Sequence, residues 1–351
     1  MIERIEGLPL VIDGHIDSLQ SCEVEMRDFL EESEKGHVDL PRAKRGGLGG
    51  MFASIYLRPT QVETNALGYA MKYFDDLLRL VDRSDGDMEL IRTADQLDSA
   101  IDRGTFAMIP HIEGAEAISR SLKELRVLYE AGLRSVGVVH ARPNMFGQGV
   151  PIPRRPDMIH GVPASTHAWG LRNGRELPYP TAGLTDLGRE LVYECQQLGI
   201  AVDASHLTPQ GFWDVAKEST RPFLCTHSSV KAICDHPRNL DDDQLRAVAD
   251  ADAVVGINFF VCFLRPDKQR DPDTPIELVL QHIDYVVQLI GDGHVAIGTD
   301  FDGANMPDSV SDASKMIDVV RGMRDQLGYS DDRLERICNG NWRRVLRAAW
   351  N

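Results

Sequence analysis

The chain forms its first apolar segment with Pro9-Leu10-Val11-Ile12-Asp13-Gly14-His15-Ile16-Asp17. Residues 9–12 predict a short buried strand, and His15 and Asp17 follow it at a spacing of two. In an extended backbone, side chains two residues apart point to the same face. An imidazole and a carboxylate side by side at a strand end provide half of a divalent-metal site. Because His-x-Asp is a common sequence, a polar turn is an equally good interpretation of this pair alone.

Short apolar runs recur along the chain and alternate with helical patterns. The predicted strands lie near residues 9–13, 51–57, 106–111, 134–140, 199–204, 222–226, 253–258 and 294–299. The predicted helices lie near residues 63–82, 94–102, 121–131, 185–198, 209–219, 241–250, 276–291, 311–327 and 331–349. This alternation indicates parallel strands joined by right-handed crossovers. Eight such strands in 351 residues favour an α/β fold of the closed (β/α)8 TIM barrel type. Strand counting alone leaves an open doubly wound sheet almost as favourable.

Residues 141–183 interrupt the alternation after the fourth strand. They are rich in Pro, Gly, Asn and Arg and show no sustained periodicity. A connection of this length in a compact domain is usually functional or disordered. We therefore expect a long loop on the active-site side of a single domain that spans residues 1–351.

Composition restricts the class of protein. The formal net charge of −16 and the isoelectric point near 5.1 argue against a nucleic-acid or anionic-membrane surface. Six cysteines without a Cys-x-x-Cys pair predict neither a disulfide framework nor a zinc ribbon. No secretory signal, membrane span or hydrophobic anchor tail is visible in the sequence. We therefore expect a soluble cytoplasmic enzyme without nucleic-acid or membrane partners.

The barrel hypothesis requires reactive residues at the carboxyl ends of the strands. A histidine or an acid follows six of the eight predicted strands, and these residues are His15, Asp17, Glu113, His140, His206, His227, Asp300 and Asp302. A single histidine after a strand is usually structural. Histidines or acids at the ends of six strands are much harder to explain by chance. Together the side chains supply enough nitrogen and oxygen ligands for two metal ions.

We expect His15 and Asp17 to bind one ion, His206 and His227 to bind the other, and Glu113 to lie between the two ions. Imidazole and carboxylate ligands without thiolates suit catalytic Zn²⁺ or a close relative. Two such ions, typically about 3.5–4 Å apart, would share a hydroxide.

Two further charged residues have both a functional and a structural interpretation. Asp300 could accept a proton from a metal-bound water and return it to a leaving group. It could otherwise cap a loop or support a ligating histidine, a role for which Asp302 is the better candidate. Arg238 could hold a substrate carboxylate in a bidentate fork. From the residues alone, a salt bridge to the acidic helix start at 241–243 is favoured.

With these residues assembled, the chain resembles the membrane dipeptidase family of renal-dipeptidase-like metallopeptidases (peptidase family M19), in the amidohydrolase superfamily. The resemblance runs from about residue 9 to residue 348 and depends on the order and spacing of several motifs. They are Asp13-Gly-His-Ile-Asp, Val38-Asp-Leu-Pro-Arg, Ile112-Glu-Gly, Gly183-Leu-Thr-Asp-Leu-Gly, Asp203-Ala-Ser-His, Thr226-His-Ser-Ser, Asp235-His-Pro-Arg-Asn-Leu, Ile297-Gly-Thr-Asp-Phe-Asp-Gly and Asn339-Gly-Asn. The 141–183 loop is similar to that of bacterial members.

The resemblance implies a (β/α)8 barrel of the metal-dependent hydrolase type that binds two zinc ions and hydrolyses dipeptides by attack of a metal-bridging hydroxide. It implies metal-ligand roles for His15, Asp17, Glu113, His206 and His227, with Glu113 as the bridge. His140 matches the histidine that polarises the scissile carbonyl and steadies the oxyanion. Arg238 matches the arginine that holds the substrate carboxylate, in place of the salt bridge favoured above. Asp300 matches the acid that transfers the proton and faces the substrate amino group.

Two positions depart from the family pattern. Ile16 replaces an asparagine and should lie on the face opposite the metal ligands. Phe260 replaces a tyrosine near the substrate, which puts the substrate preference in doubt. Family members are often homodimers, and Mn²⁺ or Co²⁺ could replace zinc because these ligands are not selective.

Two alternative functions stay open. The first is another binuclear hydrolase of the superfamily, acting on an N-acyl amino acid, a lactone or a β-lactam. The residues His15, Asp17 and Glu113 differ from the His-x-His and carboxylated-lysine pattern of many such branches. The second, much less favoured, is a non-catalytic binding protein stabilised by metal.

Overall fold

The computed structural model of the protein describes residues 1–152 and 181–350, and between these ranges only residues 171–172 and 175–176. Most of the loop predicted at 141–183 therefore lies outside the described residues. Its position on the active-site side stays a prediction.

Eight parallel strands form a closed ring, and three further short strands lie outside it among the described residues. All of these strands, in chain order, are β1 (Val11–Ile16), β2 (Leu48–Tyr56), β3 (Met88–Leu90), β4 (Phe106–Glu113), β5 (Ser135–Gly137), β6 (Leu171–Arg172), β7 (Arg175–Glu176), β8 (Ala201–Asp203), β9 (Leu224–Ser228), β10 (Val254–Ile257) and β11 (Val295–Ile297). The ring runs β1-β2-β4-β5-β8-β9-β10-β11 and closes where β11 pairs with β1. Strand β3 pairs with the start of β4 outside the ring, and β6 and β7 form a separate antiparallel pair. The predicted (β/α)8 barrel is confirmed, and ring closure excludes the doubly wound sheet.

Helices connect the strands and surround the ring. They are α1 (Ser18–Glu25), α2 (Leu40–Gly46), α3 (Pro59–Arg83), α4 (Ala94–Arg103), α5 (Lys123–Ala131), α6 (Asp186–Leu198), α7 (Pro209–Glu218), α8 (Asp242–Asp250), α9 (Val261–Leu264), α10 (Ile276–Ile290), α11 (Met316–Asp325), α12 (Asp331–Glu335) and α13 (Asn341–Trp350). A π-helical turn at Arg336–Gly340 divides the helix predicted at 331–349 into α12 and α13. Among the described residues, no helix combines the length and the apolar character needed to cross a lipid bilayer.

Strand β1 differs from its prediction at both ends. It begins at Val11 and continues to Ile16, so His15 lies inside the strand and Asp17 directly precedes α1. The extension forms because Ile16 pairs with Ala53 of β2 and bridges to Phe301. Ile16 is fully buried in the apolar layer between the ring and the helices, on the face opposite the site, as predicted.

A side chain from α13 fills the inside of the ring. Trp342 is fully buried, its ring centroid lies 4.9 Å from that of Phe52, and its Nε1 donates to the carbonyl of Ile297 at 3.0 Å. A Cβ atom at Gly14 would collide with the indole ring, and one at Gly256 would collide with the carbonyl of Thr226 and press against the indole. The glycine between Asp13 and His15 therefore lets β1 approach a tryptophan that belongs to a much later part of the chain.

A buried histidine joins two loops near the carboxyl ends of the strands. Nδ1 of His282, on α10, accepts from the backbone N–H of Val230 at 3.0 Å, and Nε2 donates to the carbonyl of Leu264 at 3.1 Å. Burial lowers the pKa of His282 to about 4. Only the neutral ring can accept at one nitrogen and donate at the other.

We therefore expect acid to destabilise the protein through His282. The folded-state pKa lies below the unfolded value of about 6.5, so the unfolded chain takes up this proton first. The contribution is complete above about pH 6.5 and is lost as the pH falls towards 4, by roughly 2 kcal/mol at pH 5. His282→Gln keeps an acceptor and a donor but does not titrate. Urea unfolding at pH 7.5 and pH 5 should show a smaller loss of stability in His282→Gln than in the wild type, and equal losses would contradict this account.

Candidate metal centre

Four imidazoles converge on the carboxylate of Glu113 at the end of β4. Glu113 Oε1 lies 2.8 Å from His206 Nε2, 3.6 Å from His15 Nε2, 3.7 Å from His227 Nε2 and 3.8 Å from His140 Nε2. Each imidazole comes from a different part of the ring: His15 from β1, His140 from the segment after β5, His206 from the turn after β8 and His227 from β9. The carboxyl ends of parallel strands meet at one rim, which explains this convergence of residues far apart in sequence.

The second carboxylate of the cluster is Asp17. Its Oδ2 lies 3.6 Å from His15 Nε2, and the side chain is buried. Glu113, its four imidazoles, Asp17 and Asp300 form three overlapping groups that could hold a metal ion: His15, Glu113 and His227; Glu113, His140 and His206; and His15, Asp17 and Asp300. His227 Nε2 lies 2.8 Å from Nε2 of His206, its predicted partner, and His227 also belongs to the group of His15 and Glu113.

The donor atoms of this cluster fit divalent cations. Both ring nitrogens of His15, Oδ1 of Asp17 and Nδ1 of His206 are buried and have no hydrogen-bond partner among the described residues. A buried polar atom without a partner is costly, so such atoms indicate a missing ligand. The neighbouring Nε2 atoms of His206 and His227 cannot both donate to each other, whereas both lone pairs can face a cation. Imidazoles and carboxylates without thiolates are typical ligands of Zn²⁺ and its close relatives.

Burial and the neighbouring charges set the protonation of these groups. Burial raises the pKa of Glu113 well above its ordinary value. Burial acts to lower the pKa of His15, but the carboxylates of Glu113 and Asp17 outweigh it and raise that pKa to about 10. Burial, assisted by nearby positive charge, holds the pKa values of His206 and His227 well below the usual range. The last two imidazoles are therefore neutral, which is the form that binds a metal.

Asp300 lies on the rim, separated from the end of β11 by Gly298 and Thr299, and has a left-handed backbone (φ 67°). Its Oδ2 accepts from Nδ2 of Asn258 at 3.1 Å, and its backbone N–H donates to the carbonyl of His15 at 3.1 Å. Burial raises the pKa of Asp300 to about 7. A carboxyl group with such a pKa can both accept and return a proton near neutral pH.

Asp302 has different partners. Its carboxylate accepts from the hydroxyl of Ser18 and from Nη2 of Arg27 at 2.7 Å, and its backbone N–H donates to Nδ1 of His37 at 2.8 Å. These contacts anchor residues 27–37 beside α1. Asp302 therefore stabilises a loop, in line with the expectation that it is the capping residue of the two.

Arg238 does not form the salt bridge that the residues alone favour. Asp241 instead caps α8 by accepting from the backbone N–H of Gln244, and Arg238 makes no ion pair within 4 Å of any described carboxylate. The guanidinium is buried, donates to the carbonyl of His227 at 3.0 Å and lies 5.5 Å from the ring centroid of Phe263. Its Nε has no partner among the described residues, so a donor is left for an anion.

His140 is the most exposed of the four imidazoles. Its ring centroid lies 4.4 Å from that of His206 and 4.5 Å from that of Tyr56 at the end of β2. Phe260, the departure noted in the sequence, directly precedes α9 and is buried, with the guanidinium of Arg270 at 5.1 Å from its ring centroid.

Sequence reasoning missed one buried histidine of the cluster. His111 is fully buried on β4, its ring centroid lies 5.4 Å from that of His15, and its Nδ1 lies 3.0 Å from Oγ of Ser135. Burial lowers the pKa of His111 to about 4, so the ring is neutral. A usable signal existed, because His111 and Glu113 are two residues apart on one strand and must share a face.

Known proteins share the sequence pattern and the fold of this chain. The sequence profile of the membrane dipeptidase family (peptidase family M19) matches residues 2–351. A metallopeptidase from Rhodobacter sphaeroides, solved with a phosphinate mimic of the dipeptide L-Ala-D-Ala, is 33% identical, with a TM-score of 0.85 over 98% of this chain and 100% of that one. The crystal structure of a family M19 dipeptidase is 34% identical, with a TM-score of 0.86 over 98% of this chain and 99% of the other.

A relative found by sequence alone also covers most of the chain. An uncharacterised protein from the pqqA 5′ region of Klebsiella pneumoniae is 36% identical over 274 residues, which cover 78% of this chain and 93% of that protein. Since the family profile extends over nearly every residue, the chain belongs to the membrane dipeptidase family, peptidase family M19, and is a metallo-dipeptidase.

Proposed function

We propose that the protein is a zinc-dependent dipeptidase that hydrolyses the peptide bond of short zwitterionic dipeptides. The observation that carries this proposal is the convergence of four imidazoles on Glu113 beside the buried guanidinium of Arg238. The Rhodobacter sphaeroides relative was solved with a mimic of L-Ala-D-Ala, so we include L,D-dipeptides among the expected substrates.

In this proposal, His15 and Asp17 would hold one cation, His206 and His227 would hold the other, and Glu113 would contribute to both sites. Two zinc ions bound there would lower the pKa of a shared water to give the attacking hydroxide and would polarise the scissile carbonyl. Mn²⁺ or Co²⁺ would suit the same ligands.

The chain's own residues supply the remaining chemistry. His140 would donate a hydrogen bond to the oxygen of the scissile carbonyl and stabilise the negative charge that develops there. Asp300, with a pKa near 7, would take up the proton of the attacking water and deliver it to the leaving amine.

Two charged groups at opposite ends of the site would restrict the substrate to dipeptides. Arg238 would bind the free carboxylate of the substrate, and Asp300 would face the free amino group. A longer peptide would leave one of these buried groups without its partner, and an unpaired buried charge is costly. The enzyme should therefore discriminate by the termini more than by apolar side chains.

The direct test is a screen of L,L- and L,D-dipeptides on protein of known metal content. Turnover that a chelator abolishes and Zn²⁺ restores would support the proposal. Hydrolysis of N-acyl amino acids, lactones or β-lactams in preference to every dipeptide would contradict it. Bound metal without turnover of any of these compounds would favour a non-catalytic role.

Removing the guanidinium should weaken recognition of the free carboxylate. Arg238→Met is expected to lower kcat/KM for a free-acid dipeptide about 10- to 150-fold, since a hydrogen bond to a charged group contributes about 1.5–3 kcal/mol. The same substitution should change kcat/KM for the C-terminal amide of that dipeptide very little. Steady-state kinetics of both substrates on both enzymes form a double-mutant cycle.

Arg246→Met is the matched control, because Arg246 is exposed on α8 and pairs with Asp243. It should leave both substrates unaffected. If wild-type enzyme hydrolyses the free acid and the amide equally well, Arg238 does not bind the carboxylate.

A further inference from the structure

Two chemically identical contacts lock neighbouring strands of the ring together beside the metal centre. In the first, Asp13 of β1 accepts from the backbone N–H of Thr299 at 2.9 Å and from its hydroxyl at 2.6 Å. In the second, Asp203 of β8 accepts from the backbone N–H of Thr226 at 2.9 Å and from its hydroxyl at 2.7 Å. All four side chains are buried. We call these pairs the β1–β11 clamp and the β8–β9 clamp.

The β8–β9 clamp determines which nitrogen of His227 carries the proton. The hydroxyl hydrogen of Thr226 is donated to Asp203, so Oγ1 of Thr226 can only accept from its other neighbours. These are Nδ1 of His227 at 2.8 Å and, more weakly, Oγ of Ser205 at 3.4 Å. The proton of the neutral imidazole therefore sits on Nδ1. Nε2 is left with its lone pair directed at the cluster, 3.7 Å from Oε1 of Glu113.

The β1–β11 clamp fixes the turn around Asp300, and among the described residues it makes no hydrogen bond to a ring nitrogen of a histidine. Oγ1 of Thr299 donates to Asp13 and accepts from the backbone N–H of Phe301 at 3.0 Å. This bond spans Asp300 and closes the short turn that holds Asp300 in its left-handed conformation. Asp13 also accepts from the backbone N–H of His15 at 3.0 Å, which fixes β1 against the same turn.

We propose that the two clamps divide the positioning of the site between them. The β8–β9 clamp sets the metal-binding tautomer of His227, and the β1–β11 clamp sets the position of the Asp300 carboxylate. Thr226, Asp203, Thr299 and Asp13 are thus positioning residues, and their roles rest on the function proposed above. Loss of the β8–β9 clamp should weaken metal binding. Loss of the β1–β11 clamp should slow turnover while the metal is retained.

The first arm of the test measures Zn²⁺ affinity by competition with a chelating dye. Thr226→Val removes the hydroxyl at nearly constant volume and should weaken the affinity about 10- to 100-fold, the usual cost of losing a partner of a ligating histidine. Thr226→Ser retains the hydroxyl and should stay within about threefold of wild type. Asp203→Asn should resemble Thr226→Val, because an amide NH₂ cannot accept the hydroxyl hydrogen of Thr226.

The second arm compares Thr299→Val with Thr299→Ser. Thr299→Val should retain the Zn²⁺ affinity and content of wild type but lower kcat for a dipeptide about 10- to 100-fold, with KM nearly unchanged. Thr299→Ser should restore most of kcat. Thermal unfolding of all variants identifies any that fail to fold.

The tautomer provides a measurement that needs no variant to fold. In metal-free wild-type protein labelled with ¹⁵N-histidine, His227 should carry its proton on Nδ1, and a proton on Nε2 would overturn the inference. Equal Zn²⁺ affinity in folded Thr226→Val and Thr226→Ser would overturn it as well, as would metal loss in folded Thr299→Val. If wild-type protein binds Zn²⁺ but hydrolyses no dipeptide, the proposed function fails, while the affinity and tautomer results still decide whether the β8–β9 clamp acts as inferred.

Discussion

Replacing Glu113 with glutamine is expected to remove most of the bound metal and, with it, the activity. Oε1 of Glu113 lies within 3.8 Å of the Nε2 atoms of His15, His140, His206 and His227. Glutamine keeps the volume but loses the charge and turns one oxygen into a donor, which would face imidazole nitrogens and cations. Loss of an outer partner of a ligand already costs about 10- to 100-fold, so loss of a bridging ligand should cost more.

Metal content by mass spectrometry and kcat for a dipeptide measure this effect together. Glu89→Gln is the control, because Glu89 lies on β3 outside the ring and pairs with exposed Arg103. It should leave both quantities unchanged. A Glu113→Gln enzyme that retains two metal ions and near-normal kcat would show that Glu113 bridges nothing.

Replacing Asp300 with asparagine should separate catalysis from metal binding. The amide keeps the size of the side chain and can still accept a hydrogen bond from Asn258, but it cannot take up a proton at neutral pH. General acid–base catalysis typically contributes about 10²- to 10⁴-fold, so kcat should fall by that factor. Zn²⁺ content and affinity should stay at the wild-type level.

The opposite result has a specific meaning here, because Asp300 also belongs to one of the three groups that could hold a metal, with His15 and Asp17. Loss of metal in Asp300→Asn would make Asp300 a ligand or the support of one. Asp308→Asn, on the exposed turn that follows, serves as the control and should change neither kcat nor metal content.

The sequence predicts the ring and its rim well because both depend on local patterns. Short apolar runs separated by helical periodicity require parallel pairing, and all eight predicted strands occur in the ring. The rim residues follow from strand polarity, since a side chain at the carboxyl end of one strand must lie near those of its neighbours. For this reason the order of residues along the chain is enough to place His15, Glu113, His206 and His227 together.

Features that lack a local periodic pattern, or whose partners lie far apart in the chain, were not predictable in this way. Helix α1 was missed because its apolar and polar residues are not separated onto two faces. The direction of Arg238 could not be inferred from residues alone, because the nearby acids at 241–243 offer an equally simple partner, and only the fold shows that Asp241 caps α8. The clamps were missed because aspartate and threonine in a strand have no periodic signature, and their pairing appears only when β11 lies against β1.

The tryptophan inside the ring implies an order of events during synthesis. Every strand is complete by residue 297, yet Trp342 is needed to occupy the space against Gly14 and Gly256. A nascent chain that has emerged only as far as the last strand would carry an empty cavity beside Gly14, the residue before His15. We expect such a chain, or one truncated before α13, to bind cations poorly. Metal would then bind only after α13, with Trp342, has been synthesised and has packed inside the ring.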